Sequence, residues 1–288
     1  MKDSWGKWGG ADERGALNLI GPGQVRHATG LVRTGEVFSL AQQISKAMPV
    51  PSHRPGLMHF MNRDGGDYAA GGQKPGGWQF AEDTVVMPLH TGTHIDALCH
   101  CWYDDTLYND FPGNGIRSKG ADKLGVDAMG PIVSRGVLLD FVALHGAMLE
   151  DGTPIDAEML RAAIDLTGTD LRPGDVVLLR TGWQERQGLT EPNFNAEPGI
   201  NLDAALVLAE AGVAMVGADN YAVEVLPFPQ GAMFPVHQRL IRDFGIPLLE
   251  GLVLAPLAEA GATEFLFIAA PLPIKGGTGS PLAPVAVL

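Results

Sequence analysis

The stretch from His90 to His100 reads HTGTHIDALCH and places three of the chain's eight histidines, with Asp96, inside eleven residues. His90 and His94 have the spacing of a helical pair, but Thr91, Gly92, Thr93 and Ile95 are poor helix formers. The stretch therefore reads as a strand arriving from Val85, a turn at Gly92, and a second extended piece. Side chains alternate along a strand, so His94 and Asp96 point the same way. A glycine at position 92 lets the chain fold back and bring His90 to the same point. Two imidazoles and a carboxylate suit zinc, manganese or iron(II). The chemistry is thus expected on sheet and turn, not on a helix.

Outward from this stretch, strand-like and helix-like segments alternate. Gly136–Val142 is an apolar run of strand length. Asp156 caps a predicted helix to about Leu166, with Met159, Leu160, Ala163 and Ile164 at helical spacing. Asp175–Arg180 follows a Pro-Gly turn as a strand. Asn201 opens a helix that Gly212 ends, and Val213–Gly217 follows as a strand. Pro235 suits the first turn of a helix ending at Gly245. Ile246–Leu254 and Glu264–Ala269 read as strands. The expected class is α/β without a linker; the strand order is not readable. Asp64–Trp78 (DGGDYAAGGQKPGGW) reads as a long mobile loop of the kind used as lids or binding loops.

Composition narrows the partners. The chain has 288 residues, 45% hydrophobic and 18% charged, with Gly 38 and Pro 21, enough apolar residues for a core. Its net charge of −13 repels phosphate backbones, so nucleic acid is not expected. No apolar run reaches the roughly 18 residues of a membrane span, and Met1–Gly10 lacks an apolar signal stretch. Cys99 and Cys101 imply no disulfide framework. The expectation is a soluble, acidic, cytoplasmic protein. Gly-x-Ser-x-Gly, Walker, dinucleotide-binding and His-Glu-x-x-His patterns are absent from the sequence.

HTGTHIDALCH resembles the His-x-Gly-Thr-His-x-Asp-x-Pro-x-His motif of the cyclase family of metal-dependent hydrolases, to which bacterial kynurenine formamidases and isatin hydrolases belong. Leu98 stands where the pattern has proline. Trp5–Pro22, Leu178–Trp183 and Val216–Glu224 are similar to family segments. The resemblance implies one domain over residues 1–288, a mixed central sheet or barrel-like β core with flanking helices, of the swivelling β/α/β type. It also directs attention to His237 and Glu250. A helix from His237 to Phe244 advances about 10 Å, and a strand returning from Ile246 to Glu250 covers about 13 Å. Both side chains can therefore end at one level. By resemblance, His90, His94 and Asp96 hold one metal, Asp96 and Glu250 bridge to a second, and His237 binds that second ion. His100 is then the acid/base group. The implied cofactor is one or two divalent ions, zinc or manganese, and the implied assembly is a homodimer or larger homo-oligomer.

Trp78, Phe80, Trp102, Trp183 and Phe234 are candidates for an aromatic substrate pocket, with core packing as the alternative for each. Asp219 is read either as orienting a ligand histidine or as capping a turn. Cys99 and Cys101 are weak candidates for soft ligands, and His53 and His59 for substrate contact. His27 and His145 belong to no constellation. The expected activity is hydrolysis of an amide, formamide or cyclic amide of a small, aromatic compound. A lactone or ester hydrolase, a non-catalytic metal-binding protein, and the ring-closing activity in the family's name are the alternatives.

Overall fold

Four parallel strands form the centre of the computed structural model, which describes residues 3–72, 74–187 and 193–288. Gln73 of the glycine-rich stretch and the first two residues of the amino-terminal segment lie outside the described residues. Numbering only the strands of the main sheet, β1 is Val37–Ser39, β2 His94–Asp96, β3 Ile132–Asp140, β4 Val176–Arg180 and β5 Met215–Ala218. They are followed by β6 (Leu248–Glu250), β7 (Glu264–Ala269), β8 (Gly279–Pro281) and β9 (Val285–Val287). Among the described residues the order is β1-β9-β7-β3-β4-β5-β6-β2-β8. The run β3-β4-β5-β6 is parallel, and the remaining pairings are antiparallel. This is the α/β class with a mixed central sheet and flanking helices, the sheet curling into a half-barrel.

The parallel strands have apolar, nearly continuous sequences because helices cover them. Val176, Val177, Leu178 and Leu179 are all fully buried, as are Met215, Val216, Leu248 and Leu249. Helices α1 (Pro22–Thr29), α2 (Ala157–Thr167) and α3 (Leu202–Ala211) flank the sheet; α2 lies in the crossover from β3 to β4 and α3 in that from β4 to β5. Both crossover helices begin where their caps predict. Asp156 accepts from the Met159 amide at 2.9 Å, and Asn201 from the Ala204 amide at 3.1 Å. Gly168 and Gly212 end them in the left-handed conformation.

Several boundaries differ from the sequence reading. β3 starts at Ile132 and stops at Asp140, whose carboxylate caps the short helix Phe141–His145; Val142 is therefore helical, not extended. The expected strand Ile246–Leu254 is reduced to β6 because the backbone turns at Gly251, where φ is +65°. The strand expected at Val213–Gly217 begins two residues later, at Met215. Val85 belongs to a separate hairpin, Met58–Arg63 with Glu82–Val86, and not to a strand continuing into β2. Within Asp64–Trp78, Gly65–Ala69 forms a helix whose first turn is held by the Asp64 carboxylate on the Gly66 amide, at 2.6 Å.

β2 brings chelating side chains onto one face of the sheet. It lies between β6 and β8 and pairs His94 with Glu250 and Ile95 with Leu249 on one side, and Asp96 with Gly279 on the other. Directly opposed residues share a face, so His94, Asp96 and Glu250 project together.

Elsewhere the sheet depends on a missing side chain. Gly136 of β3 sits opposite Phe265 of β7, and a Cβ there would lie 2.1 Å from the fully buried Phe265 ring. Gly136→Leu is expected to lower the unfolding free energy by about 1–3 kcal/mol or more, as overpacked cores do. Urea unfolding measures the change, and an unaltered midpoint would refute this account of the β3–β7 contact.

Candidate functional site

Asp96 is fully buried, and neither of its carboxylate oxygens makes a hydrogen bond among the described residues. Four histidines and a second carboxylate surround it. His90 Nδ1 lies 2.7 Å from Asp96 Oδ1 at an angle outside hydrogen-bond geometry, and His94 Nε2 lies 3.7 Å from the same oxygen. His237 Nε2 is 3.6 Å and His100 Nε2 3.8 Å from Asp96 Oδ2. Glu250 closes the ring, with Oε2 3.0 Å from His94 Nε2 and Oε1 3.2 Å from His237 Nε2. All five metal-ligand candidates, together with His100, are thus brought to one place.

Backbone turns make the convergence possible. Gly92 has φ +59° and reverses the chain between His90 and β2. His237 ends the short helix Pro235–His237, entered through Phe234 at φ +48°, and the chain continues in a π turn, Gln238–Asp243, before Gly245. The expected helix from Pro235 to Gly245 is therefore split into two kinds of turn. His237 remains buried and level with Glu250, as the opposed runs require.

Three of the inward-facing nitrogens are aimed by a contact on the ring's other side. His94 Nδ1 donates to the Gly92 carbonyl at 2.8 Å, which fixes the tautomer and leaves Nε2 as an acceptor. His237 Nδ1 is 2.6 Å from Glu224 Oε1, and His90 Nε2 is 3.0 Å from Thr278 Oγ1. Glu224 also accepts from the backbone amides of Val236 and His237, so it holds both ends of the histidine. Such outer partners are characteristic of metal-binding imidazoles. The donor set, imidazole nitrogens and carboxylates, suits zinc, manganese or iron(II). Two groupings lie close enough for an ion: His90, Asp96 and His100, and Asp96, His237 and Glu250.

The electrostatics of the cluster favour positive charge. Burial opposes the charged form of Asp96, but the His100 and His90 side chains outweigh it and hold the carboxyl well below its ordinary range. Burial likewise opposes protonated His237, yet Asp96, Glu224 and Glu250 raise it well above the usual histidine value. His94 moves the same way through Glu250 and Asp96. His100 behaves differently, because burial dominates and pushes it down to about 4 despite Asp96. It is a neutral imidazole at pH 7.

The other candidates divide. Trp183 lines a small cavity, about 40 Å³, beside His94 and Glu250. Phe234 packs edge-on against the His237 ring, with centroids 5.0 Å apart. Trp78 and Phe80 stack on each other at 4.7 Å and are not among that cavity's lining residues; Phe80 is tied through its backbone to the Tyr68 hydroxyl. Trp102 is 40% exposed. His59 pairs with Asp83 on the hairpin surface, and His53 is exposed. Burial pushes the Cys99 thiol up to about 12 and that of Cys101 up to about 11, so neither offers a thiolate near neutral pH. Asp219 serves a turn: its carboxylate accepts from the Thr181 amide and hydroxyl and from the Gly182 amide. The carboxylate that orients a histidine is instead Glu224, at the end of the same family-like segment. Arg54, Phe194 and Tyr221, which also line the cavity, were not singled out by sequence. Tyr221 lies in the family-like segment Val216–Glu224, but no local pattern marks Arg54 or Phe194, which come from other stretches.

Comparison with known proteins gives the family and the fold. Residues 38–225 match the Cyclase family model. Isatin hydrolase of Roseibium aggregatum is 30% identical over 220 residues, covering 73% of this chain and 75% of that protein. A kynurenine formamidase of Salinibacter ruber is 28% identical over 202 residues, covering 70% of this chain and 77% of its own. A crystal structure described as a novel cyclase superposes over 100% of both chains with a TM-score of 0.93 at 38% identity. Isatin hydrolase A of Ralstonia solanacearum shares the fold, with a TM-score of 0.67 at 23% identity over 91% of this chain and 94% of that one.

Glu224→Ala removes the group that aims His237 without removing a side chain that faces the ion position. It is expected to weaken binding of one divalent ion about 10–100-fold, with Glu224→Gln retaining part of the affinity. Competition with a chromogenic chelator reads the difference, and wild-type affinity in the alanine variant would rule out that role.

Proposed function

The chain belongs to the cyclase family, and from that premise we propose that it is a metal-dependent hydrolase opening an amide, formamide or cyclic amide of a small aromatic compound. The observation that carries this reading is the buried Asp96 carboxylate, unsatisfied at both oxygens and ringed by His90, His94, His237 and Glu250. A buried charge without hydrogen bonds is costly; cations at the two groupings would compensate it. In this reading the first ion would be held by His90 and Asp96 with His94, not the grouped His100, as the third ligand, and the second by Asp96, Glu250 and His237, with zinc or manganese as the metal. When bound, such ions lower the pKa of water from 15.7 towards about 7 and polarise a carbonyl oxygen.

The chain's own contribution is proton handling and placement. His100 is the most exposed histidine of the ring, its side chain 29% accessible, and it is neutral at pH 7. Its Nε2 takes the proton from the attacking water and delivers it to the leaving nitrogen. Trp183 and Phe194, with centroids 6.0 Å apart in the cavity wall, supply apolar faces for a flat ring. The relatives named isatin hydrolase and kynurenine formamidase support the amide class for this chain.

Two experiments test the reading. Chelation is expected to abolish hydrolysis of formanilide and isatin, and zinc or manganese to restore it; activity that survives metal removal would dispose of the proposal. Activity on an enol-lactone alone would replace the amide by the lactone class. His100→Ala is expected to keep its ions by elemental analysis while losing about 10²–10⁴ in kcat. Loss of an ion in that variant would make His100 a ligand through the grouping it shares with His90 and Asp96.

A further inference from the structure

We infer that Arg54 recognises an anionic group, a carboxylate carried by the aromatic substrate itself, within the cavity beside the cluster. The inference rests on the proposed hydrolase only for the identity of the bond that is broken. Arg54 lines the same cavity as His94, Glu250, Trp183, Phe194 and Tyr221, and it is the only lysine or arginine among the lining residues. Its guanidinium stands 5.3 Å from the centroid of the Tyr221 ring, and Tyr221 meets Phe194 edge-on at 5.3 Å. One Nη1 hydrogen is donated to the His90 carbonyl. A guanidinium carries five N–H donors in a planar fork. Among the described residues no carboxylate lies within ion-pair distance of Arg54.

Arg14 and Arg63 are also half-buried without a carboxylate ion pair, one on the Met129 carbonyl and the other over the Phe80 ring, but neither lines the cavity beside the cluster. Two other arginines are matched by acids: Arg135 pairs with Asp175 and Glu264, and Arg180 with Asp140 and Glu185. Arg54 instead rests on an aromatic face and a backbone carbonyl, contacts that orient it without neutralising it. The backbone beneath Tyr221 is held in turn by Glu197, a buried carboxylate that accepts from the Tyr221 and Ala222 amides at 3.0 and 2.7 Å. The guanidinium is therefore preorganised, and a planar carboxylate matches its remaining donors. Its anchor on the main chain of His90 puts the anion next to the cluster, on the same small molecule as the scissile amide. The aromatic rings of the cavity accept the body of that molecule. The substrate class is an aryl amide bearing a carboxylate.

The test compares formanilide with 2-, 3- and 4-formamidobenzoate, using the metal-replete full chain, Arg54→Gln and Arg54→Lys. The wild type is expected to favour at least one carboxylated isomer by about 10–100-fold in kcat/KM, the range of a charge-assisted contact. Arg54→Gln is expected to bring that ratio near one through KM, and Arg54→Lys to retain an intermediate preference. If Arg54 only holds the His90 carbonyl, all four substrates fall in proportion and the ratio stands, which overturns the inference. A wild type that prefers formanilide to every isomer overturns it too. Absence of any turnover counts against the hydrolase reading, and calorimetry then decides on Arg54 with benzoate and benzamide. An advantage of benzoate that disappears in Arg54→Gln supports recognition, whereas equal benzoate affinity in both proteins refutes it. Should the glutamine variant not fold, Arg54→Lys carries both measurements, with a several-fold loss of the carboxylate preference expected and full retention contrary.

Discussion

A carboxylate with no exposure and no hydrogen bond is an expensive object in a protein interior, and Asp96 is one. The surrounding structure compensates it by gathering positive or polarisable groups. Four imidazole rings face it, and two of them, His94 and His237, are shifted towards the protonated form by the carboxylates around them. Three of the rings are fixed from behind, by Gly92, Glu224 or Thr278. The cluster is thus a rigid negative centre whose partners are already oriented, which is the preorganisation an ion-dependent hydrolytic site needs.

Rigidity of this kind comes from the sheet. β2 has only three residues, but β6 and β8 pair with it on both sides and set its register. A shift of one residue would turn His94 and Asp96 away from Glu250. The parallel run β3-β4-β5-β6, buried in apolar contacts, holds β6 in place. The interior thus serves the site through position, and the turns at Gly92 and Gly245 bring the remaining ligand candidates to it.

Around the cluster the structure separates two tasks. Carboxylates at its centre hold positive charge, while Arg54, on a surface of Tyr221 and Phe194, presents positive charge to the cavity. Glu197 and Asp219 take part in neither task directly; each accepts backbone amides and shapes a turn, one beneath Tyr221 and one before Trp183. Buried acids in this protein therefore have different roles according to what they face: backbone donors, histidines or an ion position.

The motif HTGTHIDALCH, by its residue types alone, determined the extended conformation at His94–Asp96, the turn at Gly92 and the shared face of His94 and Asp96, because these depend on local backbone preferences. Helix starts at Asp156 and Asn201 were legible for the same reason: a cap lies within three residues of the amide it satisfies. Strand ends at Asp140 and Gly251 were less so, since an apolar run continues in sequence after the backbone has left the sheet. Only the tertiary structure decided the strand order, with β2 inserted between β6 and β8, and the company of Arg54, Tyr221 and Phe194. Those arrangements join residues far apart in the chain. Their contacts are selected by packing and register across the whole fold, and no local pattern encodes them.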